Sequence, residues 1–211
     1  DAAKELLLQL KQAQPQSLST VLLQIDILLS HTPQEALDMV LATREANAWS
    51  LPQQAMLDTR FISALMKLGL EHTAANYFAE LPSLRQKELL HNSNAVRLLS
   101  RLKSPKIRQA LMPLHLKHPT QGHISSALGY IYAHQGEYGQ ALPYFQKSHL
   151  SGHPSAFEIG EMLLHLDRHE EAMHHNIQVP NPEKKLQQRF NILVRSKQYS
   201  RAVNLFTQLK S

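Results

Sequence analysis

The chain has 211 residues, 43% of them hydrophobic, with 22 Lys and Arg, 17 Asp and Glu, and no cysteine. That much apolar side chain can bury a core, which excludes a disordered tail. The missing cysteine excludes disulfides, thiolate metal sites and a cysteine nucleophile. Leu, Ala and Gln are abundant while Val and Thr are sparse. Straight-chain and Ala side chains lose little rotamer freedom in a helix, so the composition favours helix over strand.

In chain order, helices are expected over residues 2–13, 17–30, 33–46, 53–68, 71–80, 84–90, 94–102, 105–117, 123–135, 138–150, 154–166, 169–177, 183–196 and 199–210. Thr32-Pro33 and Ser104-Pro105 read as an N-cap followed by a first-turn proline. Turn signals at Leu51-Pro52, His118-Pro119, His153-Pro154 and Asn181-Pro182 bracket other pieces. No strand-like alternation occurs. The longest apolar stretch, Leu18 to Leu29, is broken by Gln24 and Asp26 and is too short to span a bilayer.

Charge is uneven. Residues 1–82 carry a net −4, 83–120 a net +7, 121–170 a net −3 and 171–211 a net +5. A basic middle and a basic end attract an acidic partner; the plainer meaning of such runs is a set of solvated outer helix faces.

The second half repeats itself. Gly129 and Gly160 are 31 residues apart, as are Ala141 and Ala172, and Ala202 follows 30 later. Nine residues separate a bulky residue from each Ala: Tyr132 to Ala141, Leu163 to Ala172, Leu193 to Ala202. Three residues before each Ala stand Tyr138, His169 and Tyr199, a packing position between helices. Two antiparallel helices need a small residue where their backbones come closest. Gly129 and Gly160 serve on the first helices, and the three alanines on the second. Tyr132, Phe145, Leu163, Phe190 and Phe206 fill the space around them. Such a pair cannot bury its apolar surface alone, so neighbours stack. Fainter echoes occur at Leu65–Ala74–Phe78 and Ile27–Ala36.

The stretch Leu128-Gly129-x-x-Tyr132, Ala141-x-x-x-Phe145 and Pro154 resembles the tetratricopeptide repeat, and Gln135-Gly136-Glu137-Tyr138 is similar to that family's inter-helix turn. Asn176 departs from the pattern where an aromatic is expected, and Phe190 stands where the third copy should have Gly. The resemblance implies an all-α, right-handed superhelical α-solenoid of antiparallel helix pairs. Residues 1–120 would form irregular helical hairpins, continuous with three repeats over 121–211. In that family the first helix of each pair lines a concave face. Carried over by spacing, the inner face holds Ser126, Tyr130 and His134, then Phe157, Glu161 and His165, then Gln187, Asn191 and Arg195. This mixture of aromatic, charged and amide groups suits an extended peptide.

Catalytic signals are weak. His165, His169, His174 and His175 cluster in sequence, but the repeat register puts a turn between His165 and His169, and no HExxH is present. No nucleophile elbow, Walker loop or dinucleotide fingerprint appears. The basic run Arg97, Arg101, Lys103, Lys106 and Arg108 lacks interleaved aromatics for base stacking. The expectation is a protein-interaction scaffold that is not an enzyme, with no metal or cofactor. Its partner is another protein or an extended peptide, without nucleic acid and without membrane insertion in this chain. By family analogy it works in a bacterial envelope assembly serving secretion, pili or polysaccharide, periplasmic or membrane-associated, the alternative being cytoplasmic. A chain starting at Asp1 reads as processed or excised, with any upstream anchor out of view. The alternative function is a structural spacer without a groove ligand, meeting a further repeat through Leu205 and Leu209; a nucleic-acid-binding or metal-dependent domain ranks below both.

Overall fold

The computed structural model describes residue 5 and residues 17–46, 48–102 and 104–208, and among them the regular structure is all helical. The chain divides into two compact units, Asp1–Ala110 and Leu111–Ser211. The first contains α1 (Leu18–His31), α2 (Pro33–Ala46), α3 (Leu51–Lys67), α4 (Glu71–Glu80), α5 (Ser83–His91), α6 (Ser93–Leu99) and a 3-10 turn (Ser100–Leu102). The division falls within α7 (Pro105–Lys117) rather than at residue 120. The second unit continues with α8 (Gly122–His134), α9 (Tyr138–Leu150), α10 (Ala156–His165), α11 (His169–Asn176), α12 (Pro182–Arg195) and α13 (Tyr199–Gln208).

Helix termini lie within about two residues of those expected from residue 17 onward, and the segment 94–102 ends in the 3-10 turn. Helix α3 starts earlier than expected because a proline is tolerated in a first turn, where its missing N–H has no helical partner to lose. Ser50 precedes it, and its amide and hydroxyl both donate to Gln53 Oε1, at 3.0 and 2.8 Å. The expected helix over 2–13, Glu5 apart, lies outside the described residues, as do Lys103 and Leu209. Among the described residues no helix is long and apolar enough to cross a membrane.

In the first unit α3 is the hub, packing against α1, α2, α4, α5 and α6. Its buried stripe reads Ala55, Asp58, Ile62 and Leu65, which places a fully buried carboxylate among apolar residues. A buried charge is tolerated only when paired and hydrogen-bonded. Arg85 on α5 holds Asp58 in a two-pronged grip, Nε on Oδ2 at 3.0 Å and Nη2 on Oδ1. The Tyr77 hydroxyl on α4 donates to Oδ1 at 2.5 Å. Burial and that acceptor push the Tyr77 phenol well above its ordinary range, so it stays a donor. Arg44 on α2 stands further off, at 3.9 Å, over the faces of Phe61 and Tyr77. One carboxylate thus ties α3 to α4 and α5 directly.

Four turns share one geometry. Gly69, Gly136, Asp167 and Lys197 have φ of +73°, +79°, +57° and +60°. Each follows a bulky residue whose carbonyl accepts from the amide five residues on: Leu70 to Leu65 at 2.9 Å, Glu137 to Tyr132 at 3.0 Å, Arg168 to Leu163 at 2.9 Å and Gln198 to Leu193 at 2.8 Å. This is the left-handed stop in which orphan carbonyls of a helix end find partners. The next helix then begins at once, and the register alanines Ala74, Ala141, Ala172 and Ala202 are all buried. The Leu65–Ala74 echo therefore has the same turn as the three later copies.

In the second unit α8 packs on α9, α9 on α10, α10 on α11 and α12, α11 on α12, and α12 on α13. Tyr132, Leu163 and Leu193 are buried beside the alanines. A Cβ on Gly129 would come within 2.9 Å of the Phe145 ring, the close approach within one pair that the spacing implies. At Gly160 the neighbour differs: a Cβ would lie 2.7 Å from the side-chain amide of Gln188, on α12. Tyr199, expected to pack between helices as Tyr138 does, is 59% exposed. Tyr138 stacks on His165 of the following first helix, whereas no described helix follows α13. Leu205, expected to be exposed, is buried with Leu193 and Ala202, while Val203 faces solvent.

Two sets of variants test these accounts. A non-glycine residue in the left-handed region costs about 1 kcal/mol, so Lys197→Gly is expected to stabilise the second unit by about that much and Gly136→Ala to destabilise it similarly. Urea denaturation reads both; a destabilised Lys197→Gly would count against the turn. In the first unit Arg85→Ala leaves Asp58 buried without its two-pronged partner and is expected to cost about 3 kcal/mol or more. Arg44→Ala, which leaves Asp58 its two closer partners and removes only a contact at 3.9 Å, should cost less than Arg85→Ala.

Candidate functional site

The first helices of the second unit are joined at equivalent positions. On α8 the Tyr130 hydroxyl donates to Glu158 Oε1 of α10 at 2.6 Å. One repeat later Gln188 of α12 donates to Glu161 Oε1 of α10 at 3.0 Å. Residues 130 and 161 occupy one register position and 158 and 188 another, counting by the spacings of 31 and 30. Gln188 is fully buried and fully engaged. Its amide also donates to the Phe157 carbonyl at 2.7 Å, and its oxygen accepts from Asn176 at 3.3 Å. Asn176 in turn donates to the Lys185 carbonyl at 2.8 Å. The aromatic missing at position 176 is thus replaced by an amide network, into which Gln188 reaches across the bare backbone of Gly160.

The nine expected inner-face residues divide by environment. Ser126 is buried and offers no outer surface. Tyr130 is half-buried, its ring edge-on to Phe145 at 5.1 Å. His134 is exposed and stacks loosely on Tyr130, at 6.4 Å. The Phe157 ring lies 5.1 Å from the Lys184 ammonium, a cation–π contact. Glu161 is held by Gln188 as described. The His165 ring lies flat on Tyr138 at 3.9 Å. Gln187 and Asn191 are exposed, and Arg195 donates to the Leu164 carbonyl at 3.2 Å.

Four of the nine, Glu161, His165, Asn191 and Arg195, line one cleft of about 220 Å³ between α10 and α12. Phe190 and Val194 complete it with partly exposed apolar surface. The other five do not line it. Phe190 was expected only as a filler at the glycine position; here its ring belongs to the cleft wall. Its signal in the sequence was its place one residue before Asn191 on the same amphipathic helix. The cleft offers a carboxylate, a guanidinium, an amide and an imidazole beside apolar walls. That set can hydrogen-bond a backbone and seat a side chain. It has no nucleophile paired with a base. Among the described residues no three His, Cys, Asp or Glu side chains are grouped to hold a metal ion. His169 sits by Asp167, at 3.9 Å.

The network sets an expectation. Gln188→Leu removes the donor to Glu161 and the Phe157 carbonyl and the acceptor of Asn176, and should cost about 1–3 kcal/mol in urea denaturation. Combined with Asn176→Leu, the loss should be smaller than the sum of the two single losses, a coupling of about 0.5 kcal/mol or more; strict additivity would disprove the link.

Against known proteins, no family model matches the chain and no curated protein matches it.

Proposed function

We propose that this chain is a protein-interaction scaffold, its helix pairs in the second unit stacking as a right-handed solenoid of tetratricopeptide type, with a partner peptide seated in the α10–α12 cleft. The observation that carries the reading is convergence. Four of the inner-face positions that the resemblance implies line a single cleft. The repeated bonds between first helices, Tyr130 to Glu158 and Gln188 to Glu161, support a regular stack. The exposed Phe190 supplies an aromatic anchor of the kind that dominates peptide affinity. The setting that accompanies the reading is the one the resemblance implies, a bacterial envelope assembly, periplasmic or membrane-associated.

A spacer without a groove ligand is the second reading, favoured by the exposed Tyr199 and Val203 on α13. The two part on one measurement. Peptides selected by display against the full chain are expected to bind a Phe190→Ala/Asn191→Ala variant about tenfold more weakly or worse. Retained helical circular dichroism shows that the variant folds, since Asn191 is exposed and Phe190, at 36% exposed, lies at the edge of the packing. Selected peptides that bind the variant equally well would favour the spacer.

A further inference from the structure

The basic run that begins at Arg97 is gathered by the fold of the first unit. Arg60 on α3, Arg97 on α6 and Arg101 in the 3-10 turn line one cleft of about 440 Å³. A single carboxylate, Asp26, shares it and is bound to Arg60 Nη2 at 2.7 Å. Arg60 Nε is buried with no hydrogen-bond partner among the described residues. Arg97 and Arg101 are exposed, and among the described residues neither is in an ion pair. Arg101 also lines a second depression of about 570 Å³, together with Lys106, His72 and one carboxylate, Glu71. The two depressions therefore share a cationic wall.

We propose that this arginine cleft binds an acidic peptide segment, with its carboxylates on Arg60, Arg97 and Arg101. The inference goes beyond the function proposed above and stands on the other unit. Guanidinium forks match carboxylates in two-pronged geometry. Leu29 and Leu98 line the same cleft and can take the aliphatic stems that carry those carboxylates. Two depressions sharing Arg101 suit an extended chain better than a single small ion. A nucleic acid is the poorer occupant, because no Phe, Tyr or Trp lines either depression to stack a base.

Fluorescence anisotropy on the full chain tests this with three labelled probes: a short peptide of alternating Glu and Leu, its Gln and Leu counterpart, and a thymidine oligonucleotide of equal charge. The Glu peptide is expected to bind best, and more weakly as salt rises. Arg97→Ala/Arg101→Ala should raise its Kd by about tenfold or more. Arg201→Ala on α13, which lines none of these clefts, should leave it unchanged. Both cleft substitutions are at exposed side chains, and retained helical circular dichroism would show that the variant folds. Equal binding of the Gln peptide, an unchanged Kd in the Arg97→Ala/Arg101→Ala variant, or tighter binding of the oligonucleotide would each overturn the proposal.

Discussion

All the described helices but α3 fall within or below the length at which a helix is marginal by itself in water. The described helices run from 7 residues in α6 to 17 in α3, and isolated helices shorter than about 12–15 residues are marginal. Each is therefore held by what it packs against. In the first unit the requirement is met radially, with α3 touching five other helices. In the second it is met serially, each helix leaning on the next. The left-handed turn is what makes the serial solution work. It reverses the chain in few residues, satisfies the last carbonyls of one helix and delivers a buried alanine onto the pair contact.

Burial on this scale traps polar groups, and the two units handle them alike. Asp58 is matched by Arg85 and Tyr77, and Gln188 by Asn176, Glu161 and the Phe157 carbonyl. Neither cluster is there for lack of apolar alternatives, since both sit beside well-packed leucines and alanines. Each fixes which helices meet and in what register, a specificity that apolar contacts alone do not impose. At Gln188 the network also shapes the cleft, because the same residue that fills the gap over Gly160 anchors Glu161 at the cleft's edge.

Much of the helix order was readable from proline positions and apolar spacing, since helix boundaries here are set locally by caps and first-turn prolines. The turn at Gly136 stands in a visible motif and the repeat register places another between His165 and His169, but nothing at Asp167 or Lys197 marks the left-handed backbone that they share with glycine. The surroundings of the nine candidate side chains were only partly readable. Spacing along a helix tells which way Glu161 and Asn191 point, but not that Tyr130 is drawn into a bond with Glu158 or that Ser126 is covered. Those depend on how close the next helix comes. Asp58 carried a signal in its place on the stripe with Ala55, Ile62 and Leu65, but its partners lie 19 and 27 residues away on other helices, beyond any local pattern.

The left-handed residue changes along the chain, from glycine at 69 and 136 to aspartate at 167 and lysine at 197. Aspartate tolerates that backbone better than lysine does, so the turn before α13 is the most strained of the four. That helix also has the thinnest cover, with Tyr199 and Val203 in solvent. Local opening is thus expected to be graded within the second unit, with the amide protons of α8 and α9 exchanging slowest and α13 detaching first. A unit built this way carries its own order of disassembly.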